Sequence, residues 1–84
     1  MITDRKIKIY MKFRGDDDMW ARIASDEDKL ILDGDDWLEI STLRMELIQL
    51  DSGFISQKYR KEIEGRIASH KCTEEVLSEL KAMK

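Results

Sequence analysis

The side chains best able to do chemistry in this sequence are carboxylates, and many of them are aspartates in two short runs. The runs comprise Asp16, Asp17 and Asp18, and then Asp33, Asp35 and Asp36. Closely spaced carboxylates repel one another, and a cation or a basic partner relieves that repulsion. With Trp37 as a neighbouring apolar anchor, the two runs form the first candidate site, a surface that binds a basic partner.

The spacing of the acids does not match a dedicated metal site. A calcium-binding loop needs acidic ligands at alternating positions, a glycine at the sixth and a glutamate at the twelfth. Neither Asp16–Asp18 nor Asp26–Asp36 fits that pattern, and a zinc site has too few ligands in one His and one Cys. We therefore expect no metal and no cofactor. Aspartate also favours turns for local reasons, so solvated loops are the alternative interpretation.

Basic and aromatic side chains near the start of the sequence form a second candidate site. The set is Lys6, Lys8, Tyr10, Lys12, Arg14, Trp20 and Arg22. Single-stranded nucleic acid is bound by cations along its phosphates and by rings that stack on its bases. Lysines on an edge strand also prevent aggregation, which is the alternative interpretation. The net charge of −3 argues against nucleic acid as the main partner.

Catalysis is not expected from this sequence. His70 and Cys72 could pair as base and nucleophile, but no group is identified beside them to stabilise an oxyanion. Glycine-rich phosphate loops are absent, and the acids are expected in turns that face water, where nothing raises a pKa for acid–base work. We therefore expect a protein that is not an enzyme.

An alternating pattern predicts that strands position both candidate sites. Ile7, Ile9, Met11 and Phe13 alternate with polar residues, which is typical of a half-buried strand. Weaker patterns follow, so the prediction is a three-stranded antiparallel meander over about 5–14, 18–25 and 29–33. A meander places the loops after its first and third strands at the same end. Both aspartate runs would then share one edge of the sheet, and the basic set would lie on its outer face.

Helical spacing takes over after the predicted sheet. Three helices are expected over about 36–51, 56–70 and 73–83, with N-caps at Asp36, Ser56 and Thr73. The polar stripe of the first of these helices is narrow, which indicates a helix wrapped by protein at the centre of the core. The predicted fold is a single α+β domain over 1–84, with the helices packed on one face of the sheet.

Composition limits the class of protein and its location. The 84 residues are 42 % hydrophobic and 39 % charged, which suits one small domain with an ionic surface. No apolar run approaches the roughly 20 residues that a transmembrane helix requires, and the first residues do not resemble a signal peptide. The single Cys72 fits a reducing compartment, so we expect a cytoplasmic location.

Two functional hypotheses follow. The favoured one is a non-enzymatic protein-binding module of the inhibitor, immunity or anti-defence type, which neutralises a basic partner through the carboxylate-rich sheet edge. The alternative is a single-stranded nucleic-acid-binding domain that uses the basic outer face of the sheet. A homodimer formed through the first strand or the 56–70 helix is also open, because a small domain gains stability from association.

Overall fold

The computed structural model describes residues 1–83, which form six α-helices and no β-strand. The helices are α1 (Asp4–Lys12), α2 (Asp17–Ile23), α3 (Asp26–Ile31), α4 (Gly34–Leu50), α5 (Gln57–Ala68) and α6 (Glu74–Ala82). Within these residues, β-type pairing is limited to one isolated parallel bridge between Thr3 and Lys71. The predicted α+β fold, with strands over 5–14, 18–25 and 29–33, is therefore wrong, and the fold is all-α.

The first predicted strand is instead α1, because its apolar residues fit a helical period as well as an alternating one. Ile9 and Phe13 are four residues apart, and Tyr10 lies three residues from both Ile7 and Phe13. A helix brings such positions to one side. All four side chains are buried there, including Tyr10, which the alternating pattern had assigned to the polar face.

The polar runs that predicted hairpin turns are the starts of helices α2 and α3. The Asp16 carboxylate accepts a hydrogen bond from the Met19 amide at 3.0 Å, and the Ser25 hydroxyl accepts one from the Asp28 amide at 3.0 Å. Aspartate and serine satisfy free amides at a helix start as readily as they form turns. Gly15 adopts a positive φ of 71° in the loop between α1 and α2.

The three predicted helices are present with shifted ends. Ser56 and Thr73 cap α5 and α6, so these two predicted N-caps are confirmed. The N-cap of α4 is Asp33, three residues before the predicted Asp36. The Asp33 carboxylate accepts from the Asp36 amide at 2.8 Å, and the Asp36 carboxylate accepts from the Asp33 amide at 3.3 Å. This reciprocal pair is a capping box.

Helices α1, α4 and α6 pack against one another and enclose the core, and α5 packs on α4. The most deeply buried core side chains are Ile2, Ile7, Leu32, Ile40 and Leu80. Helices α2 and α3 form a short connection between α1 and α4, and neither helix has a buried residue.

The segment before α1 is tied to the connection between α5 and α6. The Lys71 amide donates to the Ile2 carbonyl at 3.1 Å, and the Thr73 amide donates to the Asp4 carboxylate at 2.8 Å. These bonds hold Ile2 in its fully buried position. Across residues 1–83, no helix is long and apolar enough to cross a membrane.

Candidate functional site

The two aspartate runs lie at the starts of helices, not along the edge of a sheet. Residues 16–18 provide the cap and first turn of α2, Asp33 caps α4, and Asp35 and Asp36 lie in the first turn of α4. Negative charge at these positions is favoured by the helix dipole. Local helix stability therefore accounts for part of the clustering that the sequence shows.

Most carboxylates of this region are exposed and lack an ion pair among the described residues. Two are paired: Lys6 Nζ donates to Asp36 Oδ2 at 2.8 Å, and Lys12 Nζ lies 3.5 Å from Asp28 Oδ1. The exposed, unpaired side chains are Asp16, Asp17, Asp18, Asp26, Glu27, Asp33 and Asp35. We call these seven residues the acidic surface.

The aromatic rings of both candidate sites belong to one packed cluster. Trp37 is only 8 % exposed, and its ring centroid lies 4.5 Å from that of Tyr10 and 5.1 Å from that of Trp20. The Trp20 ring also meets the Phe13 ring edge to face at 5.1 Å. Rings packed in this way contribute to the core, and a buried Trp37 does not offer a partner an exposed anchor.

The basic residues of the second candidate site are divided among α1, the loop that follows it, and α2. On α1, Lys6 and Lys12 make the ion pairs described above and Lys8 is exposed, and Arg14 is exposed in the loop. Arg22 is on α2, where its Nε donates to a backbone carbonyl of the same helix at 3.3 Å. The outer sheet face that carried the nucleic-acid hypothesis is absent, because residues 1–83 form no sheet.

His70 and Cys72 are not arranged as a nucleophile and its base. The Cys72 thiol donates to the Ile2 carbonyl at 3.6 Å, and burial, with a smaller contribution from the charge of Asp4, raises the pKa of that thiol. A reactive cysteine needs the opposite shift. His70 Nδ1 lies instead 3.7 Å from Glu39 Oε1. In the described part of the chain, no cluster of His, Cys, Asp and Glu is placed to hold a metal ion.

A groove of about 710 Å³ lies between α4 and α5. On its α4 side, Leu38, Thr42, Met45 and Gln49 recur every three or four residues, which places them along one side of the helix. We call these four residues the α4 stripe. Leu38 is 68 % exposed and Met45 is 56 % exposed, although both are large apolar side chains on a helix that packs on three others. Tyr59 lines the groove from α5.

Two arginines fix the position of α5 beside the groove. Arg66 donates from Nη2 to Glu46 Oε2 at 2.7 Å and from Nε to the same oxygen at 3.0 Å, and hydrogen bonding to Glu46 raises the pKa of the guanidinium. Arg60 donates to the Leu50 carbonyl at 2.6 Å, at the C-terminal end of α4, where backbone carbonyls have no partner within the helix. Ile63 is the one buried residue of α5. Polar bonds thus hold α5 in place while the α4 stripe stays uncovered.

The lining of the groove is negative at one end. It contains the carboxylates of Asp35, Glu39 and Glu46 against the guanidinium of Arg66, with His70 beside Glu39. Because Glu46 and Arg66 neutralise each other, the remaining charge comes from Asp35 and Glu39, both exposed and both near the start of α4.

Comparison with known proteins gives no match: no protein family, no curated protein and no solved structure is similar to this chain. Of the residues predicted as sites, Asp35 is the one that lines the groove. The exposure of Leu38 and Met45 was missed because the narrow polar stripe of α4 predicted that protein wraps its apolar residues. The sequence did contain a signal, since α4 carries apolar residues on nearly all sides and a small domain cannot bury them all.

Proposed function

We propose that this protein is a non-enzymatic protein-binding module whose partner carries a basic surface. The observation that supports this proposal is the acidic surface, seven exposed carboxylates without ion pairs within residues 16–35. In the same range, the cations are Arg22 and Lys29. Unbalanced charge of this kind attracts an oppositely charged partner over long distances and speeds association.

An inhibitor or immunity protein directed at a nucleic-acid-handling enzyme would use such a surface. The enzyme presents cations where it holds phosphates, and carboxylates can occupy the same positions. The nucleic-acid alternative depended on a sheet face with exposed rings, whereas residues 1–83 form no sheet and Tyr10 is buried.

The test first captures the partner and then measures its association rate with variants of this protein. The protein is immobilised and incubated with native cell extract at roughly 0.1 M salt, where the Debye length is about 10 Å, with and without nuclease. A stoichiometric basic protein that is retained after nuclease treatment is the expected result. Loss of the captured protein after nuclease treatment would contradict the proposal.

The variant Asp16→Asn/Asp17→Asn/Asp18→Asn then removes charge from the acidic surface. Asparagine keeps the N-cap of α2. The matched control, Glu62→Gln/Glu64→Gln/Glu79→Gln, removes three exposed carboxylates elsewhere. At low salt we expect the first variant to associate several-fold more slowly and the control to associate at nearly the wild-type rate. Equal rates for both variants would contradict the proposal.

A further inference from the structure

We infer that the groove between α4 and α5 is the docking site for one helix of the partner, an amphipathic helix with basic residues beside its apolar face. The inference rests on the proposed function, because it says which part of a basic partner binds and where. Its main observations, the exposure and spacing of the α4 stripe, are separate from the acidic surface, and the charge of the groove shares Asp35 with that surface.

The shape of the groove suits a helix. Leu38 and Met45 are seven residues apart on α4, so they lie two turns apart, or roughly 10 Å, on the same side of the helix. A helix laid between α4 and α5 would contact both of them and Tyr59 on the opposite wall, as the third member of a three-helix arrangement. Helices bound in grooves use apolar residues at this spacing as their main contacts.

The charge of the groove indicates which residues the bound helix of the partner carries. Asp35 and Glu39 lie near the start of α4 without a compensating lysine or arginine, whereas the part around Met45, Gln49 and Tyr59 is uncharged apart from the Glu46–Arg66 pair. The complementary helix therefore has lysine or arginine toward the end that lies beside the start of α4. Its remaining contact residues are apolar.

The same charge disfavours a second copy of this chain in the groove. A two-fold contact brings the same surface from both copies together. Each copy would bring the negative carboxylates of Asp35 and Glu39 into a region being removed from water, where unpaired charge is costly.

The test uses the full chain and a fluorescein-labelled synthetic peptide of 21 residues, with leucine at the a and d positions of a heptad and lysine and alanine elsewhere. A second peptide has glutamate in place of lysine. Fluorescence anisotropy compares the wild type with Leu38→Ala/Met45→Ala. The matched control is Ile23→Ala/Leu30→Ala, which removes two exposed apolar side chains outside the groove.

We expect the wild type and the control to bind the lysine peptide with the same affinity, and Leu38→Ala/Met45→Ala to bind it at least tenfold more weakly. The glutamate peptide should bind at least tenfold more weakly than the lysine peptide. Equal binding of the two peptides, an equal loss in the control, or no binding to the wild type would overturn the inference. Sedimentation equilibrium showing a dimer that Leu38→Ala/Met45→Ala abolishes would overturn it in favour of a second copy.

The variant of residues 16–18 separates the two proposals, because those residues do not line the groove. Suppose that variant leaves the partner's association rate unchanged while Leu38→Ala/Met45→Ala no longer binds the lysine peptide. The proposed role of the acidic surface is then wrong, and the inference about the groove remains supported. In the converse result, the variant of residues 16–18 associates slowly while Leu38→Ala/Met45→Ala binds the lysine peptide as the wild type does. That result overturns the inference about the groove and leaves the proposed function supported.

Discussion

Glu46 is a carboxylate that the fold almost removes from water, and its charge is balanced by Arg66, a side chain that remains half-exposed. Removing one member of such a pair leaves the buried charge without compensation, which costs more than replacing both members by apolar groups. We expect Arg66→Met to lower the free energy of unfolding by more than Arg66→Met/Glu46→Met does. Urea unfolding followed by circular dichroism measures both, and a less stable double variant would contradict this expectation.

Cys72 gives the molecule a pH dependence on the alkaline side. Burial raises the pKa of its thiol above the value of about 8.5 that an unfolded chain shows. Its contribution to stability is therefore complete below the unfolded pKa and is lost as the pH rises through the folded pKa. Above about pH 8.5, the free energy of unfolding should fall more steeply for the wild type than for Cys72→Ala. Parallel curves from urea titrations would contradict this.

At the scale of the element, α5 has the least buried support of the four longer helices α1, α4, α5 and α6. It has one buried residue, and Gly65 lies in its interior with open space where a Cβ would be. Glycine costs a helix interior about 1 kcal/mol relative to alanine. We expect Gly65→Ala to raise the free energy of unfolding by roughly 0.5–1 kcal/mol, measured by urea unfolding. A decrease would show that the alanine methyl group is not accommodated.

The helices that could be predicted from the sequence are those with one consistent signal. Ser56 and Thr73 precede stretches with helical spacing and no competing alternation, so α5 and α6 were found with their caps. The segment 5–33 carried two signals at once. Its apolar residues fit both periods, and its aspartates and serines suit turns and N-caps alike, so local pattern does not decide between strand and helix. In the helices that form, Tyr10 and Trp20 pack against Trp37.

The candidate groove illustrates a different limit. Leu38 and Met45 are indistinguishable by residue type from the buried Ile40 and Leu43 on the same helix. Which of them is covered depends on where α5 and α6 pack, and that follows from contacts such as Glu46–Arg66 between distant positions. Sequence spacing alone could identify an excess of apolar residues on α4, but not the side left uncovered.

At the scale of the whole molecule, we expect the acidic surface to oppose folding. Its carboxylates repel one another across α2, α3 and the start of α4, and salt screens exposed charges. We expect the free energy of unfolding to rise by roughly 0.5 kcal/mol between about 20 and 200 mM NaCl. The Asp16→Asn/Asp17→Asn/Asp18→Asn variant should show a smaller rise in the same urea series, and an identical rise would contradict this origin.

The packing of α6 on α1 has a consequence for synthesis in the cell. The chain is made from its N-terminus at about 5–20 residues per second, so the completed α1 waits roughly 3–14 seconds for Leu80 of α6 to be added. During that interval the apolar side of α1 has no α6 to cover it. Of the two helices that pack on α1, α4 is therefore the one that can cover Ile7 and Phe13 before α6 has been translated.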